Sequence, residues 1–261
     1  MKIGLCQTEI LWQDKDANFC RAERLVEKGR AEGASLLLFP EMSFTGFSMN
    51  TAVTGETDQR TVTRMQKLAS DSRTAIGFGW VRKAAEKAEN HYTVVDETGK
   101  ICSDYVKIHP FSYSGEDRFF QGGCELSSFL LQGHRIGTLI CYDLRFPEVF
   151  QKLADTCDVI TVAANWPEKR REHWMALLRA RAIETQTYLC GINCSGSQQG
   201  LAYSGDSAAF GPDGQLLAGF GRGETILYVP IENAVPKCRE AFPVRQDRRK
   251  ELYRSYYTED L

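Results

Sequence analysis

The sequence predicts an α/β protein in which the sheets lie inside and the helices lie outside. Three observations support this fold class. Strand and helix patterns alternate in both halves of the chain, hairpin patterns lie between them, and some strands are continuous apolar runs of the kind that is covered on both faces. No Pro/Gly/Ser-rich linker and no fixed-period repeat interrupts the 261 residues. We therefore predict one domain that spans residues 1–261.

The first third of the chain alternates strands and helices. Apolar residues at helical spacing, with Gly33 as a stop, follow the first strand, and the apolar run at 35–39 ends directly in Pro40 and Glu41. A second apolar stripe at helical spacing precedes another apolar strand. The predicted elements are strands at 2–7, 35–39 and 74–81 and helices at 16–30 and 58–69.

The rest of the chain adds hairpins to this alternation. Gly99 supplies the positive φ that a tight turn requires between two strand patterns, and Gly133 lies between the next two. The predicted strands are 92–95, 100–106, 125–131, 135–141, 159–164, 187–193 and 225–229, with a hairpin about 212–214. The predicted helices are 147–154, which begins with a proline, and 172–184. The last thirty residues, which are charged and aromatic, carry no predicted element.

Composition and charge are those of an ordinary globular protein. Hydrophobic residues make up 43% of the chain and charged residues 25%, and the formal net charge of -2 gives no field that would gather nucleic acid or an anionic membrane. The nine cysteines are odd in number and have no paired spacing, which favours a reducing cytoplasm. We expect neither a signal peptide nor a membrane span, because no suitable apolar run occurs.

Three chemically reactive residues follow predicted strands. Glu41, Lys107 and Cys141 each fall at the carboxyl end of a strand, where α/β folds build their sites. Taken singly, they suit a solvated carboxylate, a surface lysine and a buried thiol. Together they supply a nucleophile, a base to take its proton and a cation to stabilise an oxyanion.

Other kinds of site have less support in the sequence. A cysteine–histidine pair needs one of four histidines, and none has an obvious strand-end position with an orienting carboxylate. A zinc site needs a partner for the pair Cys190 and Cys194, and no second pair exists. Glycine-rich phosphate loops of the dinucleotide-binding or P-loop type are also missing, so Gly77 and Gly79 are interpreted as part of a close-packed strand.

Several segments resemble the nitrilase (carbon-nitrogen hydrolase) superfamily. The three signature segments are 38–42 (LFPEM), 104–109 (DYVKIH) and 139–148 (LICYDLRFPE). The similarity continues through 163–167, 173–174, 179–184 and 203–207, so it covers nearly the whole chain. The resemblance implies a four-layer α-β-β-α sandwich and a homodimer.

The resemblance also implies a mechanism. By this resemblance Cys141 would be the nucleophile and Glu41 the general base, while Lys107 and the backbone N–H of Tyr142 would stabilise the oxyanion during formation and hydrolysis of a thioester. A further catalytic glutamate corresponds to Glu116, with neighbouring Asp117 as the residue that could be mistaken for it. No metal and no organic cofactor is implied.

Within the superfamily the chain is most similar to omega-amidases, which hydrolyse the terminal amide of small 2-oxo acids such as 2-oxoglutaramate or 2-oxosuccinamate. Arg145 would then bind the substrate carboxylate, or instead pair structurally with Glu148 or Asp143. Phe111 and Trp166 would wall the pocket, or instead belong to the core. The alternatives are an N-carbamoyl or other aliphatic amidase, with nitrile hydrolysis less favoured, and a catalytically idle binding homologue.

Overall fold

The computed structural model describes residues 1–258 and contains two mixed β-sheets with helices on their outer faces. The strands are β1 (Lys2–Gln7), β2 (Leu36–Leu38), β3 (Ala75–Arg82), β4 (Glu89–Val95), β5 (Ile101–Val106), β6 (Ser127–Leu131), β7 (His134–Ile140), β8 (Val159–Ala164), β9 (Tyr188–Asn193), β10 (Ser195–Gln198), β11 (Leu201–Ser204), β12 (Ala208–Phe210), β13 (Leu216–Gly219) and β14 (Thr225–Pro230). The helices are α1 (Lys15–Ala31), α2 (Thr51–Thr54), α3 (Arg60–Ser72), α4 (Glu116–Phe119), α5 (Pro147–Leu153), α6 (Arg171–Thr185), α7 (Val235–Ala241) and α8 (Lys250–Thr258).

The two sheets have the same plan. The first has the strand order β14-β1-β2-β3-β4-β5 and the second β13-β12-β9-β8-β7-β6. Each contains three neighbouring parallel strands, β1-β2-β3 and β7-β8-β9, flanked by antiparallel strands. Parallel strands need helical crossovers, which α1, α3, α5 and α6 provide. The remaining strands, β10 and β11, form a separate hairpin.

The layers stack in the order helix, sheet, sheet, helix. Residues of both sheets, such as Leu5 and Leu38 of the first and Leu139 and Val162 of the second, share one buried cluster. The helices α1 and α3 pack on the outer face of the first sheet in a second cluster. On the other side, a Cβ at Gly191 would lie 2.5 Å from Leu178, so α6 approaches β9 closely because residue 191 has no side chain. The predicted α-β-β-α sandwich and its single domain are confirmed.

Most predicted elements recur with boundaries shifted by a few residues, and the strands 2–7 and 159–164 recur unchanged. The elements that were not predicted are α2, α4, the β10–β11 hairpin, and α7 and α8 near the carboxyl end. Of the helices formed by residues 1–258, none combines the length and the apolarity that a membrane span needs. The domain boundary 1–261 stays a prediction, and its residues 259–261 lie outside the described part of the chain.

Candidate active site

The three strand-end residues come together at one edge of the sandwich. Glu41 lies three residues beyond β2, whereas Lys107 and Cys141 directly follow β5 and β7. Because the antiparallel strand β4 separates β5 from β3, β5 runs in the same direction as β2, and their carboxyl ends reach the same edge. Since β7 belongs to the second sheet, the cluster draws its residues from both sheets.

Two buried carboxylates share one ammonium group. The Nζ of Lys107 donates to Oε1 of Glu41 at 2.8 Å and to Oε2 of Glu116 at 2.8 Å. The side-chain amide of Asn90 donates to Oε1 of Glu41 at 2.8 Å and to Oε1 of Glu116 at 3.1 Å. All four side chains are buried. Such a group persists in the interior because its charges are paired and hydrogen-bonded.

This arrangement fixes the charge of Lys107. Burial by itself would lower the pKa of Lys107, but the charges of Glu116 and Glu41 outweigh it and raise that pKa above the ordinary lysine value. Burial raises the pKa of Glu116, the charge of Lys107 opposes this rise, and the charge of Glu41 adds to it. Lys107 is therefore a cation at neutral pH.

Glu116 begins the short helix α4 and is fully buried, whereas the neighbouring Asp117 is exposed. In addition to its contacts with Lys107, Glu116 accepts a hydrogen bond from the backbone N–H of Phe111 at 2.6 Å. The structure thus brings Glu116, and not Asp117, into the cluster.

Two asparagines complete the surroundings of Glu41. The backbone N–H of Asn165 donates to Oε2 of Glu41 at 3.0 Å, and its side-chain amide donates to the Glu41 carbonyl at 2.7 Å. The other is Asn90. Sequence reasoning assigned neither residue a role. Asn165 directly follows β8, so the strand-end signal that identified Glu41 also applied to it, but Asn90 lies inside β4 and gave no such signal.

Cys141 occupies a sharp turn between β7 and α5. Its φ of 45° lies in the left-handed region, which is uncommon for a residue with a side chain, and it begins the 3-10 turn Cys141–Arg145. The buried carboxylate of Asp143 holds this turn, because its Oδ2 accepts from the backbone N–H of Ile140 at 2.9 Å and from the hydroxyl of Tyr105 at 2.7 Å. The thiol is thereby presented at the end of the strand.

The resting state of Cys141 is the thiol. Burial raises its pKa well above the ordinary cysteine value, and the charge of Glu41 raises it further against the opposing charge of Lys107. Tyr142 is the next residue of the turn. The first N–H groups of a helical turn have no acceptor within it, so the backbone N–H of Tyr142 is suited to a ligand oxygen near the thiol.

The expectation that no strand-end histidine has an orienting carboxylate is wrong for His109. Its Nδ1 lies 2.8 Å from Oδ1 of Asp143, and its backbone N–H donates to the same oxygen at 3.1 Å. The ring stacks on Phe146 with centroids 3.8 Å apart. These contacts tie the loop after β5 to the turn after β7. Sequence reasoning missed them because Asp143 lies in another loop.

Cys141 opens into a cavity of about 270 Å³. Phe111, Trp166 and Arg145 line it, and Trp166 is at the same time part of the buried core. Arg170 and Tyr203, which sequence reasoning did not select, line it as well. Among residues 1–258 no group of three or more His, Cys, Asp or Glu side chains is arranged to hold a metal ion.

Arg145 has no carboxylate partner within residues 1–258. Its guanidinium stacks on Trp166 at 4.8 Å, and its Nη2 lies 3.3 Å from Nδ1 of His173. The alternative in which Arg145 pairs with Glu148 or Asp143 is wrong. Asp143 contacts His109, and the carboxylate of Glu148 accepts from a tyrosine of α8.

Gly79 of β3 supports the loop that carries Glu41. A Cβ at this position would collide with the backbone N of Met42 and would lie 2.9 Å from the carbonyl carbon of Glu41. The backbone N–H of Gly79 also donates to Oγ of Ser43 at 2.9 Å. The interpretation of this glycine as part of a close-packed strand is confirmed.

Known proteins resemble the chain over nearly its full length. The carbon-nitrogen hydrolase family model matches residues 2–239. A 2-oxoglutaramate amidase of Bacillus subtilis (strain 168) is 34% identical over 257 residues, which cover 96% of this chain and 98% of the relative. Omega-amidase YafV of Escherichia coli (strain K12) is 32% identical over 250 residues, with coverages of 95% and 96%.

Solved structures agree with this result. XC1258 of Xanthomonas campestris, described as a CN-hydrolase superfamily protein with an arsenic adduct in the active site, superposes with a TM-score of 0.90 at 28% identity, covering 95% of this chain and 97% of that one. An amidase of Nesterenkonia sp. AN1, shown with acrylamide added at its active-site cysteine, gives a TM-score of 0.89 at 25% identity, with coverages of 98% and 99%. The chain therefore belongs to the carbon-nitrogen hydrolase family.

Proposed function

We propose that this protein is an omega-amidase that hydrolyses the terminal carboxamide of 2-oxoglutaramate or 2-oxosuccinamate to a carboxylate and ammonia. The observation that carries the proposal is the buried Glu41–Lys107 ion pair, 2.8 Å long, whose charges act on Cys141, a residue that lines the cavity. Arg145 lines the same cavity and has no carboxylate partner within residues 1–258, so it suits the acid end of such a substrate. The names of the relatives from B. subtilis and E. coli favour the same substrates.

In the first half of the reaction, the sulfur of Cys141 attacks the amide carbon while Glu41 takes the thiol proton. The raised pKa of Cys141 keeps that proton in place until the attack, so general-base assistance is required. Lys107 and the N–H of Tyr142 stabilise the oxyanion. Glu41 then passes the proton to the departing nitrogen. Ammonia is released, and the acyl group remains on Cys141 as a thioester.

In the second half, water takes the place of ammonia. Glu41, ionised again, removes a proton from the water, which attacks the thioester carbon, and the same oxyanion donors act a second time. The thiolate regains its proton from Glu41 as the acid product leaves. Glu116 helps to keep Lys107 charged and in position throughout, because its Oε2 lies 2.8 Å from Nζ.

We also propose that the protein is a cytoplasmic homodimer. All nine cysteines are free thiols, which suits a reducing compartment. Ile183 and Leu216 expose 50% and 43% of their surfaces, and the turn at Gly214, two residues before Leu216, packs on Ile183. Exposed apolar side chains that lie together suit contact with a second copy. Sedimentation velocity would test the proposal, and a monomer at micromolar concentration would contradict it.

The test of the activity is ammonia release from 2-oxoglutaramate, glutamine, asparagine and an N-carbamoyl amino acid. We expect release from 2-oxoglutaramate, with kcat lowered about 10⁴-fold or more in Cys141→Ala. The matched variant Cys20→Ala changes an exposed thiol and should act like the native protein. Ammonia release from another amide alone would show that the proposed substrate is wrong, while the proposed mechanism would still hold. No release from any of them, together with no labelling of Cys141 by a thiol probe, would favour the idle homologue.

A further inference from the structure

The cavity above Cys141 is cationic. Arg145, Lys169 and Arg170 line it, and no aspartate or glutamate is among its lining residues in the described chain. The carboxylates of the catalytic cluster lie beneath this surface and are already paired with Lys107. An occupant of the cavity therefore meets positive charge that the protein does not itself neutralise.

Arg170 is held in place by its backbone and by stacking. Its backbone N–H donates to the carbonyl of Pro167 at 3.0 Å, and its carbonyl accepts from the indole of Trp166 at 2.8 Å. The guanidinium lies over the rings of Phe111 and Tyr113, at 5.1 and 5.6 Å from their centroids. Stacking fixes the plane of the guanidinium but uses none of its N–H donors.

The guanidinium of Arg170 forms no ion pair with a carboxylate within residues 1–258. The next residue provides the contrast, since Arg171 is ion-paired with the carboxylate of Asp206 at 2.6 Å. Arg145 and Arg170 line the same cavity, and in keeping with this, burial and then the charge of Arg170 lower the pKa of Arg145. Two unneutralised cations facing one cavity favour an anionic ligand, because such a ligand relieves their repulsion.

We propose that Arg170 is a second specificity-determining residue, which acts with Arg145 to bind the 2-oxo-carboxylate end of the substrate. This inference rests on the proposed function. One guanidinium can form a bidentate pair with the carboxylate, and the other can donate to the remaining lone pairs of the carboxylate and to the 2-oxo oxygen. The amide end then reaches the thiol of Cys141.

The same arrangement discriminates against 2-amino acids. Glutamine differs from 2-oxoglutaramate by an ammonium group in place of the 2-oxo oxygen. That group would face two guanidiniums, and it offers no acceptor to their N–H donors. Repulsion and unsatisfied buried donors are the means by which a site rejects a ligand of similar size.

The test compares the native enzyme with Arg170→Gln and Arg170→Lys. The control Arg179→Gln removes an exposed arginine of α6 that does not line this cavity. For each protein we would measure kcat and KM on 2-oxoglutaramate, on glutamine and on pentanamide, a neutral amide of the same length. We expect Arg170→Gln to lower the ratio of kcat/KM for 2-oxoglutaramate to that for pentanamide about 10- to 100-fold, mainly through KM.

Arg170→Lys should give an intermediate ratio, because it keeps the charge and loses the fork. Arg179→Gln should stay within about twofold of the native ratio. The preference for 2-oxoglutaramate over glutamine should also fall in Arg170→Gln. If that variant slowed both neutral and acidic amides equally, Arg170 would only support Phe111 by stacking, and the inference would be overturned. Failure of the proposed function would appear separately, as inactivity of the native enzyme on 2-oxoglutaramate.

Discussion

Removal of the buried ammonium group should destabilise the fold strongly. In Lys107→Met the side chain keeps its shape, but Glu41 and Glu116 are left in the interior without a cation. Breaking a buried ion pair by removing one partner costs about 3–5 kcal/mol. At roughly 2 °C per kcal/mol for a chain of this length, the melting temperature should fall by about 6–10 °C.

The matched control is Lys67→Met. Lys67 also pairs with a carboxylate at 2.8 Å, but its side chain is 77% exposed, whereas that of Lys107 is 1% exposed. An exposed pair contributes at most about 1 kcal/mol. Urea unfolding followed by circular dichroism gives both free energies of unfolding. Equal losses in the two variants would refute the claim that burial decides the cost.

A double-mutant cycle locates the cause. Glu116→Gln removes one of the two carboxylates that Lys107 neutralises, so adding it to Lys107→Met should cost less than the sum of the two single changes, by about 1–3 kcal/mol. The loss in Lys107→Met should also grow as the pH rises. Without the cation the pKa of Glu116 in the folded protein lies still further above its pKa in the unfolded chain. A carboxyl group whose pKa is raised by folding contributes to stability at low pH, and this contribution is lost as the pH rises through the folded-state pKa. Additive single losses would show that the groups do not interact.

Two further predictions concern parts of the structure around the site. Gly79→Ala should displace the backbone of Glu41 and Met42, destabilise the fold by about 1–3 kcal/mol and lower kcat at least about 10-fold. The control Gly221→Ala, whose Cβ would meet open space, should change neither the free energy of unfolding nor the rate of ammonia release. Asp155→Asn should speed tryptic cleavage near α8 at neutral pH, because Asp155 pairs with Arg245 and Lys250 at 2.8 Å each. Burial alone would raise the pKa of Asp155, but the contact with Lys250, together with the other nearby cations, outweighs burial and lowers it. The ion pairs of Asp155 therefore stabilise the fold above about pH 4, and this contribution is lost as the pH falls through the pKa of Asp155 in the folded protein. Unchanged cleavage of the variant would contradict this role.

The sequence predicts the residues at strand ends well. Glu41 stands out because it closely follows a fully buried strand. Since β2 and β5 run in the same direction, Glu41 and Lys107 reach the same edge of the sheet. Helix periodicity likewise predicts α1 and α6, because each buries one stripe of side chains. For the strand ends and for these two helices, the local sequence pattern is therefore enough to predict the position in the fold.

The sequence does not predict contacts that join distant segments. The hydrogen bond from Asn165 to Glu41 depends on how the two sheets stack, whereas the one from Asn90 joins residues 49 positions apart within the first sheet. No local period encodes either contact. The pair of His109 with Asp143 depends on two loops that belong to different sheets. The helix α8 was not predicted, and its contacts reach residues far away along the chain, such as the ion pair of Lys250 with Asp155 in the turn after α5.

The placement of the site across both sheets ties activity to the union of the two halves of the chain. Residues 1–126 carry Glu41, Lys107 and Glu116 with the first parallel trio of strands, and residues 127–258 carry Cys141 and the second. Neither half holds all four residues of the proposed active site. If the two halves are expressed as separate fragments, hydrolysis therefore reports directly on their reassembly. A core substitution that shifts one sheet relative to the other should likewise abolish hydrolysis before the protein unfolds.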